Sequence, residues 1–206
     1  MKKQNYIKQL YSLVRNPNLE SLSLSMDDVH HKGLFSLVIA GTEFGKLTRV
    51  FIAGKKMKPY SVQLHSHRYP IKLTVIKGDV RHFVAIRKGS MDAHTVQLSE
   101  FDYKNPFNGG QGLTYVKESN VSIKEYILPV SSTVKMSSDE VHTVSCSKGA
   151  IWAIEEGGFE TESSKLFGVP FQTEGLYNKA PWKVSLHLDL VAVALSNMFI
   201  DFKSSN

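Results

Sequence analysis

Short runs of β-branched, aliphatic and aromatic residues recur along most of this chain, and each is closed by a glycine, a proline or a polar pair. Residues 34–40 and 47–53 are separated by Gly41-Thr42-Glu43-Phe44-Gly45. Gly54-Lys55-Lys56-Met57-Lys58-Pro59 turns into residues 61–77, and Gly78-Asp79 turns into 80–87. Gly-Asp between two such runs reads as a hairpin. Lys88-Gly89-Ser90-Met91-Asp92 leads to 94–98, and further runs lie at 113–116, 121–130, 141–146 and 150–157. Turn signals spaced by roughly 8–12 residues argue for an all-β sandwich or barrel. The chain has 206 residues, 42% of them hydrophobic, enough to bury a core without staples. No internal repeat is evident, so residues 1–206 read as a single domain built on one barrel.

The ends depart from this rhythm. Tyr6, Ile7, Leu10, Leu13 and Val14 fall on one helical face, and Asn16-Pro17-Asn18 ends it. Residues 1–18 are therefore expected to carry a short helix packed on the outside of the body. Leu19-Glu20-Ser21-Leu22-Ser23-Leu24-Ser25-Met26 alternates as a half-buried strand does. Asp27 to Gly33 reads as a solvated turn, although Asp27, Asp28, His30 and His31 are metal-capable. Residues 104–112 are rich in glycine but lack the Gly-Lys-Ser/Thr ending of a phosphate-binding loop, and read as a loop at the barrel mouth. The barrel core is expected over 19–157. Residues 158–206 form a C-terminal extension, irregular over 158–182 and strongly apolar over 183–202, that should pack on the barrel or on a partner subunit.

Ser61 to Gly78 contains the residues with the most distinctive chemistry. His65 and His67 stand two apart in an alternating run, so on a strand both side chains leave the same face. Their backbones would be about 7 Å apart, close enough for two imidazoles to converge on one ion. On a helix the same spacing would splay them. A second stretch, Met136 to Gly149, feeds His142 from a polar turn into another alternating strand. Gln63, Tyr69, Ile71, Leu73 and Val75 share the face of His65 and His67 by the same parity, and Val144 and Cys146 share that of His142.

Together these stretches resemble the two motifs of the cupin family, over about residues 45–157. The first motif runs G-x5-H-x-H, then three or four residues, E, six more and G. His65 and His67 match its paired histidines and Gly78 its closing glycine. Ile71 stands at the glutamate position and Pro59 at the opening glycine. The second runs G-x5-P-x-G-x-x-H-x3-N. His142 matches its histidine, while Ser137, Asp139 and Cys146 replace its Pro, Gly and Asn. The matched segments are 59–78 and 137–146.

The resemblance implies a cupin-like double-stranded β-helix, or jelly-roll barrel, with the N-terminal helix and C-terminal extension added. It implies that His65, His67 and His142 hold one divalent transition metal (Fe, Mn, Ni or Zn) without a carboxylate. Three neutral ligands leave coordination positions open for O2, water or substrate. The implied function is a metal-binding cupin, as an enzyme a metal-dependent dioxygenase acting on a small, anionic molecule. Gln63 and Tyr69 are the candidates for contacting substrate. Two alternatives stand beside it: a non-catalytic small-molecule binding cupin, and a metal-free sugar isomerase or epimerase with a histidine base and Tyr69 as acid. Many cupins are dimers, so a homodimer is implied.

Charge and cysteine content narrow the partners. The net charge is +6, with local excesses at Lys46, Arg49, Lys55, Lys56 and Lys58, and at Arg68, Lys72, Lys77, Arg81, Arg87 and Lys88. Neither forms a contiguous block, so solvated strand faces are expected, with a small anionic ligand favoured over nucleic acid. Arg49 is a candidate for neutralising an anion at the mouth. A single cysteine, no apolar segment after the N-terminal lysines and no 18-residue apolar run fit a cytoplasmic protein without a membrane span. Cys146 reads as a small buried hydrophobe, and His82, His94 and His187 as structural.

Overall fold

The computed structural model describes residues 2–16, 18–26, 28–59, 61–104 and 111–168. The 105–110 part of the glycine-rich loop and the extension beyond 168, with His187, lie outside the described residues. Two helices, α1 (Lys2–Arg15) and α2 (Leu19–Ser23), precede the strands. These are β1 (Leu34–Ala40), β2 (Thr48–Ala53), β3 (Leu64–His65), β4 (Ile71–Lys77), β5 (Val80–Lys88) and β6 (Val96–Lys104). They continue with β7 (Gly112–Leu128), β8 (Thr133–Met136), β9 (Val141–Cys146), β10 (Ile151–Glu156) and β11 (Ser164–Gly168).

The strands form two antiparallel sheets. One is five-stranded in the order β1-β2-β10-β4-β8, and the other closes on itself as β11-β3-β9-β5-β7-β6. The sandwich core lies between them. Leu34, Phe51, Leu73, Val75, Trp152 and Ile154 come from the first sheet, and Val80, Val144 and Cys146 from the second. Trp152 stacks on Phe51 with centroids 5.5 Å apart and planes 3° from parallel. A second cluster, with Leu64, Val121, Val141 and Phe167, fills the other face of the closed sheet. Strand alternation thus sends Val141 to one side and His142, Val144 and Cys146 to the other, as parity requires. The jelly-roll expectation is met: this is a cupin-like β-fold with its helices outside.

The N-terminal helix forms as its periodicity predicts. Tyr6, Ile7, Leu10 and Leu13 pack with Leu37, Val50, Ile76 and Ile151 on the outer face of the five-stranded sheet. No helix of the described residues is long and apolar enough to cross a membrane.

Several local expectations are corrected. Residues 19–26 do not form a strand. The Asn18 side chain accepts hydrogen bonds from the backbone N–H groups of Glu20 (3.1 Å) and Ser21 (3.2 Å), and this cap starts a short helix. Leu22 is buried against the sheet while Leu19 is exposed, so the alternation is overridden by a cap and one anchoring leucine. Gly78-Asp79 is not a hairpin: β4 pairs with β10 and β8, whereas β5 pairs with β7 and β9. Gly78 takes φ +78°, and a Cβ there would meet Ala150 Cα at 2.8 Å. It therefore makes a sharp corner between the sheets. The runs at 113–116 and 121–130 merge into β7, and β11, inside the stretch read as irregular, completes the ring by pairing with β3 and β6.

Candidate metal centre and its cavity

The histidines are brought together by register. β3 and β9 are antiparallel neighbours in which His65 and His142 are directly opposed. Opposed residues carry their Cβ atoms about 5 Å apart, so the two imidazoles meet without long-range adjustment. The run 61–78 is not one continuous strand. β3 ends at His65, and residues 66–70 form a connection before β4 begins at Ile71. Ser66 anchors it: its N–H donates to Lys165 O (2.9 Å), and its hydroxyl accepts from Lys165 N (2.8 Å). His67 still reaches the same side, with its ring 4.9 Å from that of His65 and 5.2 Å from that of His142.

Ring nitrogens of His65, His67 and His142 all lie within 4.8 Å of one another. His67 Nε2 is 2.9 Å from His142 Nε2. Two imidazoles bound to one ion at ordinary distances have nitrogens about 2.9–3.4 Å apart, so the edge between His67 and His142 already has ligand spacing. The donor chemistry also fits. Burial first, and neighbouring histidines second, hold the pKa of His67 and His142 well below the usual imidazole value, so both are neutral and carry lone pairs at neutral pH. His65 Nδ1 lies 2.7 Å from the Gln63 carbonyl oxygen, which can only accept, so Nδ1 carries the donating N–H. Ile71, at the glutamate position, is buried in the apolar core and contributes no ligand.

Two further histidines join the cluster: His82, expected to be structural, and His30, metal-capable but expected in a solvated turn. His82 projects from β5, and its Nε2 stands 3.1 Å from His142 Nδ1. Burial lowers its pKa to about 4. The 3.9 Å approach of Glu140 to His82 is therefore not an ion pair at neutral pH. His82 is two residues past Val80 and so shares its inward face; combined with the pairing of β5 and β9, that parity was the available signal. His30 belongs to the turn expected to be solvated, yet its ring stacks on His65 at 4.8 Å with planes 29° apart. Nothing local to residues 27–33 foretells this, because the β3 contact is long-range.

A cavity of about 200 Å³ opens beside the histidines, lined by His30, Gln63, His65, His67, Tyr69 and Tyr103 among others. Both polar atoms of the Gln63 side chain are buried and unpartnered among the described residues. Tyr69 stacks on His67 with centroids 6.0 Å apart and meets Phe159 edge-on. Burial, then the Glu156 carboxylate to which its hydroxyl bonds, raises its pKa strongly, so it stays a protonated donor. Arg49 is not at the mouth. It is buried, with Nε 2.7 Å from Glu156 Oε1 and NH1 donating to Leu24 O and Ser36 Oγ. Cys146 sits in the sandwich core, away from the histidine nitrogens, and burial pushes its thiol up to about 11.

No protein-family model and no curated protein sequence matches the chain. Among solved structures it is similar to hydroquinone 1,2-dioxygenase PnpCD, at 9% identity and TM-score 0.37 over 74% of this chain and 71% of that one. It is similar to the Drosophila melanogaster CENP-C cupin domain, at 10% identity and TM-score 0.39 over 76% and 99%. Cellulomonas parahominis L-ribose isomerase matches at 12% identity and TM-score 0.37 over 95% and 93%. At these levels the likenesses stand beside the strand pairing and carry nothing about chemistry. Two antiparallel sheets, one closed into a ring, with His65 and His67 before β4 and His142 on β9 facing the space between, make this a protein of the cupin fold.

Proposed function

We propose that this chain is a metal-binding cupin in which His65, His67 and His142 hold one divalent transition metal, and that it is a metal-dependent dioxygenase acting on a small molecule in the adjoining cavity. One observation carries the reading: three histidine side chains offer nitrogens within 4.8 Å of one another, two of them held neutral by burial. A bound ion of this kind would supply a Lewis-acidic centre with open coordination positions, redox-capable where it is iron, manganese or nickel.

The chain's own residues do the rest. The Gln63 carbonyl keeps His65 in the tautomer that presents Nε2. His142 donates from Nδ1 to His82 Nε2, which turns its own Nε2 toward His67. Gln63 and Tyr69 contact the substrate. The Gln63 amide offers a donor and an acceptor that nothing else among the described residues uses. The Tyr69 ring forms a wall beside His67, oriented by its bond to Glu156.

The test is the metal content of untagged protein by elemental mass spectrometry, beside a His65→Ala/His142→Ala double variant. The expected result is near one equivalent of iron, manganese, nickel or zinc, lost in the variant, with O2 consumption on adding substrate where the metal is iron, manganese or nickel. Protein that carries no metal and takes up none on addition would overturn it. A second reading, a metal-free ligand-binding cupin, is favoured by the 2.9 Å contact of His67 with His142, which is also a hydrogen-bond distance. That outcome would shift the assignment to binding.

A further inference from the structure

We propose that Arg68 is the anion-recognition residue of this cavity and that the molecule bound there is a small, flat carboxylate. This rests on the cavity being the binding site and deepens the function proposed above, but it needs no metal.

The first observation is charge. Among the described residues no aspartate or glutamate lines the cavity, and Arg68 is the one permanently charged side chain that does. The second is what the arginines of the sandwich do elsewhere. Arg49 pairs with Glu156 at 2.7 Å, Arg81 with Glu125 at 2.7 Å and Arg87 with Glu100 at 3.1 Å. Arg68 is half-buried and has no carboxylate partner among the described residues. Its guanidinium instead lies over the Phe159 ring, 4.5 Å from the centroid. A partly desolvated guanidinium without a counter-ion gains most from a ligand that brings one. The third is anchoring. The Arg68 carbonyl accepts from Glu160 N (2.8 Å) and Thr161 N (3.1 Å), so the backbone carrying the charge is tied at the cavity wall.

The remaining groups define the ligand. Tyr69 and Tyr103 line the cavity with Arg68. Gln63 also lines the cavity and adds an amide without a partner among the described residues. A Cβ on Gly168 would stand 3.3 Å from its Nε2, so glycine at that position leaves the amide its room. Aromatic and imidazole rings flank the space, which suits a flat molecule. A guanidinium fork matches a planar carboxylate bidentately.

The experiment is calorimetric titration of benzoate, its neutral analogue benzamide, and inorganic phosphate into metal-free wild type, Arg68→Ala, Arg68→Lys and Gln63→Ala. The expected result is benzoate binding to wild type, at least tenfold weaker in Arg68→Ala and intermediate in Arg68→Lys, with no heat from benzamide. Unchanged benzoate affinity in Arg68→Ala, equal binding of benzamide, tighter binding of phosphate, or no binding of any probe to wild type would overturn the assignment. If circular dichroism shows Arg68→Ala unfolded, Arg68→Lys and Gln63→Ala decide: unchanged affinity in both overturns it. Repeating the benzoate titration in His65→Ala/His142→Ala separates the two proposals. Arg68-dependent binding that survives there supports the anion site whatever the metal content of the wild type.

Discussion

Replacing Glu156 with alanine should be among the most destabilising single changes among the described residues. Its side chain is 1% exposed and that of its partner Arg49 is 7% exposed. Oε1 takes the Arg49 Nε–H at 2.7 Å, and Oε2 takes the Gly45 N–H at 2.8 Å. Truncation leaves a buried guanidinium with only Leu24 O and Ser36 Oγ, at 3.1 and 3.2 Å, and strands the Gly45 donor. Breaking one side of a buried pair costs about 3–5 kcal/mol. For a chain of this size that is a fall of roughly 6–20 °C in Tm. Removing both charges, as Arg49→Met/Glu156→Met, eliminates the unpaired ion and should recover part of the loss, leaving the Gly45 N–H, the Tyr69 hydroxyl, Leu24 O and Ser36 Oγ without their partners. Urea unfolding followed by tryptophan fluorescence reads both variants, because Trp152 is buried at 2% exposure. A single variant that loses less than about 1 kcal/mol, or a double variant less stable than the single, refutes the desolvation reasoning.

Other perturbations test other layers. Gly78→Ala forces a side chain into a φ of +78° and against Ala150, and should cost about 1–3 kcal/mol in the same unfolding assay. Trp152→Ala removes the ring stacked on Phe51 and should cost about 3–5 kcal/mol. Glu100 is buried; desolvation raises its pKa, but the hydrogen bonds and charges of Arg87, Ser119 and Lys165 outweigh that and hold it below the usual carboxylate value. A depressed folded pKa means its stabilisation is fully present above the unfolded value and is lost as pH falls through the folded one. The stability gap between wild type and Glu100→Gln, measured by denaturant midpoints, should therefore be constant near neutrality and shrink below about pH 4.5. His82→Phe removes the acceptor for His142 Nδ1 and should weaken metal retention about 10–100-fold in a chelator competition, with the ligand histidines intact.

The β-rhythm was legible because turn residues and strand parity are local. Parity alone placed His142, Val144 and Cys146 on one face, and the paired clusters on either side of β9 agree with it. Residues 19–26 misled because a Leu-x-x-Leu-x-Leu pattern satisfies both periods, and the decision fell to an Asn18 side chain capping two N–H groups. Gly78-Asp79 misled for a different reason. The same dipeptide that closes a hairpin also turns a corner between sheets, and which it does depends on whether Ala150 crowds the glycine from another strand.

The candidate site divides along the same line. His65 and His67 are local neighbours, and His142 could be joined to them because its own strand is strongly patterned. His82 and His30 could not be joined to them in advance. One depends on the register of β5 against β9, and the other on a loop folding over β3. Their positions have a physical consequence. A cluster of five imidazoles in a mostly apolar sandwich is tolerable only if nearly all stay neutral, and burial holds His67, His82 and His142 so. Arg68 is then the permanent charge among the described residues that line the cavity. A divalent ion and a carboxylate ligand would complement each other in that setting. The ion would occupy neutral nitrogens of His67 and His142, and the ligand's negative charge would answer both the ion and Arg68. It follows that metal loading should tighten benzoate binding while leaving its dependence on Arg68 in place. Metal that abolished the Arg68 dependence would mean that the carboxylate sits on the ion alone.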